Sequence, residues 1–336
     1  MSNDWKRRRE GGGWFALWLI RAIGRYGGRP LARLCLYPIT LYFLLRRTDE
    51  RRDSRAYLTR VFGRPARLWD VARHIHTFAS VILDRVFLLG GKISSFNVTL
   101  NGLDGIHAQL DQGRGVLLYG SHLGSFEVLR VLARQRPEYV IRVVLDKAHN
   151  PAMTQLLDAL NPEIARGVID ASQDGPSLML EIKQAADDGA LIALLVDRTQ
   201  PGAPVQAATF FGAPAEFPVA PWLVASVLKL PVSLAFGLYR GGNRYDLMFE
   251  SFSDEGIDLP RRGRSVLLAS LIQRYAARLE HHARSAPFNW FNFYDFWNLH
   301  EPSPVPASRA LADPVARPGA GAGGAGRPGP GERAGH

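Results

Sequence analysis

The chain reads as an α/β protein with a mostly parallel or mixed central sheet flanked by helices, and two observations carry that reading. Short unbroken apolar runs, among them Val116 to Tyr119 and Ala190 to Val196, alternate with longer segments of helical periodicity. Such runs suit strands covered on both faces of a parallel sheet. The composition, 46% hydrophobic with 21% charged over 336 residues, is that of a folded protein. Setting aside a basic leader (1–50) and a Pro/Ala/Gly-rich tail (302–336) leaves about 250 residues, 51–301, for one such core.

The leader holds most of the excess charge. Residues 1–55 contain 13 Lys and Arg against 5 Asp and Glu, a local net of +8 within a whole-chain +10. This charge sits beside Trp14, Trp18 and an apolar stripe, which suits an anionic membrane surface better than a nucleic acid. No recognised nucleic-acid module is present, so a nucleic-acid partner is not expected. Arg21, Arg25, Arg29 and Arg33 interrupt the first apolar piece and Pro38 the second, so neither supplies the ~20 residues of a simple spanning helix. The expectation is membrane-associated helices lying at the interface, or at most a single short, tilted N-terminal anchor. No small-residue cleavage site follows Leu45, which argues against a signal peptide.

Residues 51–92 have helical periodicity. His74 and His76, two apart, fall on different sides of a helix and read as packed or surface histidines, not as a metal pair. Residues 96–102 alternate like a strand ending at Asn101-Gly102, and a helix closed by Gly113 follows. Strands are expected at 139–146, 167–170 and 190–196, the last closed by Asp197, with helices around 150–160 and 176–189 between them. The stretch 208–230 reads as a loop and a helix, 231–240 and 244–252 as two more strands, and 265–285 as a helix before the aromatic close at 287–297. From Pro302 apolar bulk disappears, so disorder is expected there. The single cysteine, Cys35, excludes an intrachain disulfide and a zinc cluster of several thiolates; no metal site is expected.

The chemistry concentrates in residues 115–130, GVLLYGSHLGSFEVLR. A buried strand runs into a Gly-punctuated loop carrying His122, and a helical pattern begins near Phe126. Five residues apart on one helix, His122 and Glu127 would point roughly 140° apart. They meet only if His122 lies in the loop and Glu127 in the first helical turn, which Gly120, Gly124 and Ser125 favour. A histidine near its unperturbed pKa of ~6.5 can accept a proton from a hydroxyl or amine, and a carboxylate in reach would fix its tautomer. Backbone N–H groups beside Gly124 would be placed to support an oxyanion. By spacing alone, a loop imidazole and a first-turn acid are equally an ordinary polar loop and a favourable helix start. Ser121 and Ser125 raise a serine-nucleophile alternative, but neither sits in a G-x-S-x-G elbow. No Gly-Lys-Ser/Thr completes a phosphate loop.

With His122 and Glu127 as H-x4-E, the stretch resembles the lysophospholipid acyltransferase superfamily. The leader, the strand before His122, the segments VDRTQPGA (196–203) and FFGAPAEFP (210–218) and the close FNFYDFW narrow the likeness to the bacterial lipid A biosynthesis acyltransferase branch, over roughly residues 14–300. The resemblance implies transfer of a fatty acyl group from an acyl carrier protein or coenzyme A thioester, as co-substrate and with no bound cofactor, to a hydroxyl or amine of a membrane lipid or glycolipid acceptor. It implies work at the cytoplasmic face of a bacterial inner membrane. His122 matches the general base and Glu127 its orienting acid. Asp197 and Arg198 match a second block facing acceptor or donor, and Phe211 and Gly212 a third block beside the acyl chain. Ser121 and Gly124 complete the expected substrate-binding loop. An arginine-rich stretch expected after the 139–146 strand is replaced by LDKAHNP, where Lys147 stands in for the missing charge; this points to an acceptor less phosphorylated than a lipid A precursor. A catalytically silent lipid-binding or assembly protein with the same fold is the alternative.

Overall fold

A computed structural model describes residues 28–297 apart from 130, 133–135, 137 and 201. The first 27 residues of the leader and the whole tail expected to be disordered lie outside the described residues. Helices α1 (Gly28–Leu34) and α2 (Leu36–Arg46) continue the leader; α3 (Thr48–Phe62) and α4 (Leu68–Leu89) follow. Among the described residues no helix is long and apolar enough to cross a membrane. α1 and α2 bury Ala32 and Leu36 with Val81 and Leu83 of α4. Arg29 adds a bidentate contact to the buried Asp84 carboxylate, at 2.7 and 2.8 Å. The start of α4 is fastened by the Asp70 carboxylate, which accepts from Arg67 N at 2.8 Å and satisfies a donor that helix geometry leaves open.

The core is a seven-stranded sheet. Its strands are β1 (Asn97–Asn101), β2 (Val116–Gly120), β3 (Ile141–Leu145), β4 (Val168–Asp170), β5 (Leu191–Leu195), β8 (Val232–Tyr239) and β9 (Arg244–Ser253), in spatial order β1-β9-β8-β2-β5-β3-β4. All neighbours are parallel except β8 and β9. The sheet is therefore mixed, with an antiparallel hairpin returning along one side. β2 lies in the middle and all five of its residues are buried. That is why its sequence is continuously apolar and does not alternate. Leu117 and Tyr119 belong to the core on one face, with Ile272 and Leu279 of the long C-terminal helix; Leu118 and Val116 belong to the other, with Val81 and Leu88 of α4.

Helices α5 (Asp104–Leu110), α6 (Pro151–Leu160), α7 (Pro162–Arg166) and α8 (Gly175–Asp187) connect these strands. The last starts at Asp174, whose side chain accepts from Ser177 N at 3.1 Å, with proline in the first turn. α9 (Ala220–Leu228) and α10 (Arg264–Ser285) cover the face of the sheet opposite the C-terminal half of α4.

Two readings of the sequence are corrected. The stretch expected to be loop before α9 is instead a hairpin, β6 (Val205–Phe210) and β7 (Ala213–Pro218), forming its own two-stranded antiparallel sheet. Pro214 and Pro218 disguised it, yet proline is tolerated here because each strand has only one neighbour. The turn residues Phe211 and Gly212 both have positive φ, 49° and 75°, the combination a tight two-residue hairpin turn requires. For Phe211 this conformation costs about 1 kcal/mol or more. It is held by Glu280, which accepts from Phe211 N at 2.5 Å, by the Tyr57 ring and by the Arg284 guanidinium over its face. The second correction concerns where the helix expected from Phe126 begins: residues 127–129 form a 3₁₀ turn, and 131–132 are α-helical.

The four adjacent parallel strands β2, β5, β3 and β4 point the same way, so the loops after Gly120, Leu195, Leu145 and Asp170 share one edge of the sheet. Loop 121–125 is fixed there by a mutual approach of two glycines. Ser125 N donates to Gly237 O at 2.8 Å and Gly124 pairs with Gly237 as an isolated bridge. A Cβ on Gly124 would collide with Gly237 O, and one on Gly237 with Ser125 O. Gly124 also has φ +74°, where a side chain is strained. Gly124→Ala is therefore expected to destabilise the fold by about 2–4 kcal/mol; a thermal midpoint equal to wild type would refute this account of the loop.

Candidate functional site

The carboxyl ends of parallel strands are where an α/β sheet leaves room for chemistry, and the site follows from β2 and β5 lying side by side. β2 delivers His122 two residues past its end. β5, paired to it in register from Val116↔Leu191 to Gly120↔Leu195, delivers Asp197 at the same level. His122 Nδ1 lies 2.7 Å from Asp197 Oδ1, and His122 N donates to Oδ2 at 3.1 Å. A carboxylate can only accept, so Nδ1 carries the proton and Nε2 bears the lone pair. The His122 side chain is 28% exposed and that of Asp197 0%; the imidazole is open to a reactant, and its carboxylate partner is sealed behind it.

Asp197 Oδ2 takes two more donors, Trp290 Nε1 at 3.2 Å and Asn292 Nδ2 at 3.4 Å. Burial alone would push this carboxyl up. The proton of His122 and the positive charge of Arg198 outweigh it and hold the group down at about 2. Burial pushes His122 below its ordinary value, aided by Arg198 and Arg85 and opposed by Asp197, so the ring is neutral and basic at neutral pH.

Glu127 is placed differently from the expected pairing. Its carboxylate makes an ion pair with Arg85 of α4, Oε1 to Nε at 2.6 Å, and accepts from Ser125 Oγ at 3.0 Å. His122 instead meets an acid 75 residues away. A spacing argument sees only local partners, and strand order supplied a nearer one. Three of the loop's backbone donors, expected to be placed for an oxyanion, are also committed. His122 N goes to Asp197, Gly124 N to Asn289 O at 2.8 Å and Ser125 N to Gly237 O. Gly124 is thus required for close packing. Ser121 is buried, and among the described residues its Oγ has no hydrogen-bond partner.

Arg198 donates from Nε to Asn292 Oδ1 at 2.6 Å and from a terminal nitrogen to Phe291 O at 2.8 Å. Lys147 follows β3 on the same edge, its N donating to Asp170 Oδ1 at 3.2 Å. Gln200 links the loop after β5 to the loop after β3 through Asp146. Phe211 and Gly212, at the hairpin turn, contact the site indirectly: Phe211 packs on Tyr57, Tyr57 on Trp290, and Trp290 donates to Asp197. Among the described residues no cluster of His, Cys, Asp and Glu could hold a metal ion. His74, buried in α4, accepts from Ser54 Oγ and donates to Trp290 O.

Arg85, Trp290 and Asn292 were not singled out from the sequence as site residues. The signal available was the polar Asn289 and Asn292 inside an otherwise aromatic close.

The profile of the bacterial lipid A biosynthesis acyltransferase family matches residues 4–297. The chain belongs to this family. A search of curated proteins finds no match. Membership makes the chain an acyltransferase of the lipid A type, and the imidazole at the end of β2 lies within the matched span.

The Asp197 ionisation is also a stability term. Its folded pKa, about 2, lies below the ~3.9 of an unfolded aspartate, so the contribution is fully present above that value and lost as pH falls toward about 2. Denaturant midpoints of wild type and Asp197→Asn are expected to differ most above about pH 5 and to converge on acidification; a pH-independent difference would contradict the assignment.

Proposed function

We propose that this acyltransferase moves a fatty acyl group from an acyl carrier protein or coenzyme A thioester to a hydroxyl or amine of a membrane lipid or glycolipid acceptor. The observation that carries the reading is the 2.7 Å contact of His122 Nδ1 with Asp197, because it leaves Nε2 as the base on the accessible side of the ring. Nε2 takes the acceptor's proton as the acceptor oxygen or nitrogen bonds to the thioester carbonyl carbon. The tetrahedral oxyanion collapses, the C–S bond breaks, and the imidazolium returns its proton to the departing thiolate. No acyl group is carried on the protein. Asp197 stabilises the imidazolium, the role that the family resemblance gave to Glu127. In this reading Glu127 positions Arg85, and the positive charges of Arg85, Arg198 and Lys147 face anionic groups of donor or acceptor. With the N–H groups of His122, Gly124 and Ser125 committed, Ser121 Oγ is the side-chain donor this reading assigns to the oxyanion.

The membrane contact in this reading is the outer face of α1 and α2. Leu31, Leu34, Tyr37, Leu41, Tyr42 and Leu45 are exposed on it, at helical spacing and opposite the buried Ala32, Leu36 and Thr40. An apolar face of this kind, with Arg46 exposed at its end, fits an anionic bilayer interface such as the cytoplasmic leaflet of the inner membrane.

Two measurements test these proposals. With labelled acyl thioester and bacterial membranes, His122→Ala and Asp197→Asn are each expected to lower kcat by about 100- to 10,000-fold and Glu127→Gln by less; wild-type turnover in Asp197→Asn with loss in Glu127→Gln would return the acid's role to Glu127. In vesicle sedimentation, replacing Leu34, Leu41 and Leu45 together by Glu is expected to weaken binding to anionic vesicles about tenfold or more. Undiminished binding would exclude this face as the docking surface.

A further inference from the structure

Residues 289–292, Asn-Trp-Phe-Asn, lie outside any helix or strand, yet all four are buried. Buried polar groups in irregular chain must find partners, and here most of those partners are parts of the site. Asn289 pairs with both backbone groups of Tyr239, accepting at 2.7 Å and donating at 3.2 Å, so its side chain acts as one more strand residue beside the end of β8. Asn289 O accepts from Gly124 N, Phe291 N donates to His122 O at 2.8 Å, and Leu123 bridges Trp290. From the far side, His74 Nε2 donates to Trp290 O at 2.9 Å; burial holds His74 down at about 4, so it stays neutral and keeps this bond.

The segment thus grips the His122 loop through its backbone and Asp197 through its side chains. Trp290 Nε1 and Asn292 Nδ2 both donate to Asp197 Oδ2, leaving Oδ1 turned to His122 Nδ1. The Asn292 amide can sit only one way round: its nitrogen meets the carboxylate and its oxygen meets the Arg198 guanidinium. We propose that Trp290 and Asn292 are positioning residues, which hold the Asp197 carboxylate in the rotation that keeps His122 protonated on Nδ1 and set the proton affinity of Nε2. This rests on the reading of His122 as general base.

The charged and titratable groups facing His122 are Asp197 and Arg198 beyond β5 and Arg85 from α4, with Glu127 behind Arg85. Tyr275 of α10 and Tyr294 face Asp197 and remain protonated because burial pushes both up. Among these groups His122 is the imidazole, and burial holds its proton affinity below the ordinary value. Removing a neutral donor from Asp197 leaves more of its negative charge to favour the imidazolium, so the acid limb of the rate profile moves to higher pH.

The test uses the full-length protein carrying Trp290→Phe, which keeps an aromatic ring without the N–H, and Asn292→Asp, which keeps shape while turning a donor into an acceptor. Both are expected to lower kcat about tenfold or more with KM within about twofold. The acid limb of kcat is expected to rise by about half a pH unit or more. Nitrogen NMR of the histidine ring, which needs no substrate, is expected to show a single Nδ1–H tautomer in wild type and a mixture in the variants. Folded variants with wild-type kcat, limb and tautomer overturn the proposal, and if Trp290→Phe fails to fold, Asn292→Asp decides it. Failure of the underlying base reading is separable, since His122→Ala would then retain wild-type acyl transfer.

Discussion

A carboxylate with no exposed surface, held ionised by its neighbours, is the constraint on which the candidate site beyond β2 and β5 depends. Desolvation of Asp197 works against its charge, and the fold offsets it with four donors drawn from two stretches of chain: two from His122 in the loop after β2, and the indole of Trp290 and the amide of Asn292 in the aromatic close. Each donor is worth more here than in water because the surroundings are apolar, and each would be costly to strand unpaired. The four are therefore interdependent. The loop cannot shift without disturbing the acid, nor can the aromatic close loosen without releasing Arg198 and the loop together.

The same economy appears in α4, which joins the apolar outer helices to the chemistry. Asp84 takes Arg29 of α1 and the Tyr245 hydroxyl, His76 meets Thr40 and the Tyr37 ring of α2, His74 holds Trp290, and Arg85 holds Glu127. A buried pair such as Arg29 with Asp84 contributes little net stability once desolvation is counted; its effect is to set the register of α1 against the body. One helix thus fixes both the placement of the exposed apolar face of α1 and α2 and the surroundings of His122.

Much of this was readable along the chain, since periodicity and turn chemistry are local. The apolar run of β2, the Gly-punctuated loop after it, the amphipathic helix from 265 and the succession of β3, β4 and β5 all follow from neighbours within about 10 residues. The β6–β7 hairpin escaped because its prolines read as breaks. Only the pairing of two isolated strands, with aromatic support from α10 and Tyr57, makes them tolerable.

The site divides along the same line. His122 stood out in the sequence because a lone imidazole between glycines after a buried strand is a local pattern. Its partner did not, because which acid reaches it depends on β5 lying beside β2, and sheet order is settled by packing across the whole domain. Glu127 is five residues from His122 and turned to Arg85; Asp197 is 75 residues away and within 2.7 Å. The sequence by itself determined the strand, the loop and the imidazole it carries. The tertiary structure alone decided the acid and the residues that hold it, because hydrogen-bond reach is a distance in space and the chain brings its remote parts together only when the sheet closes.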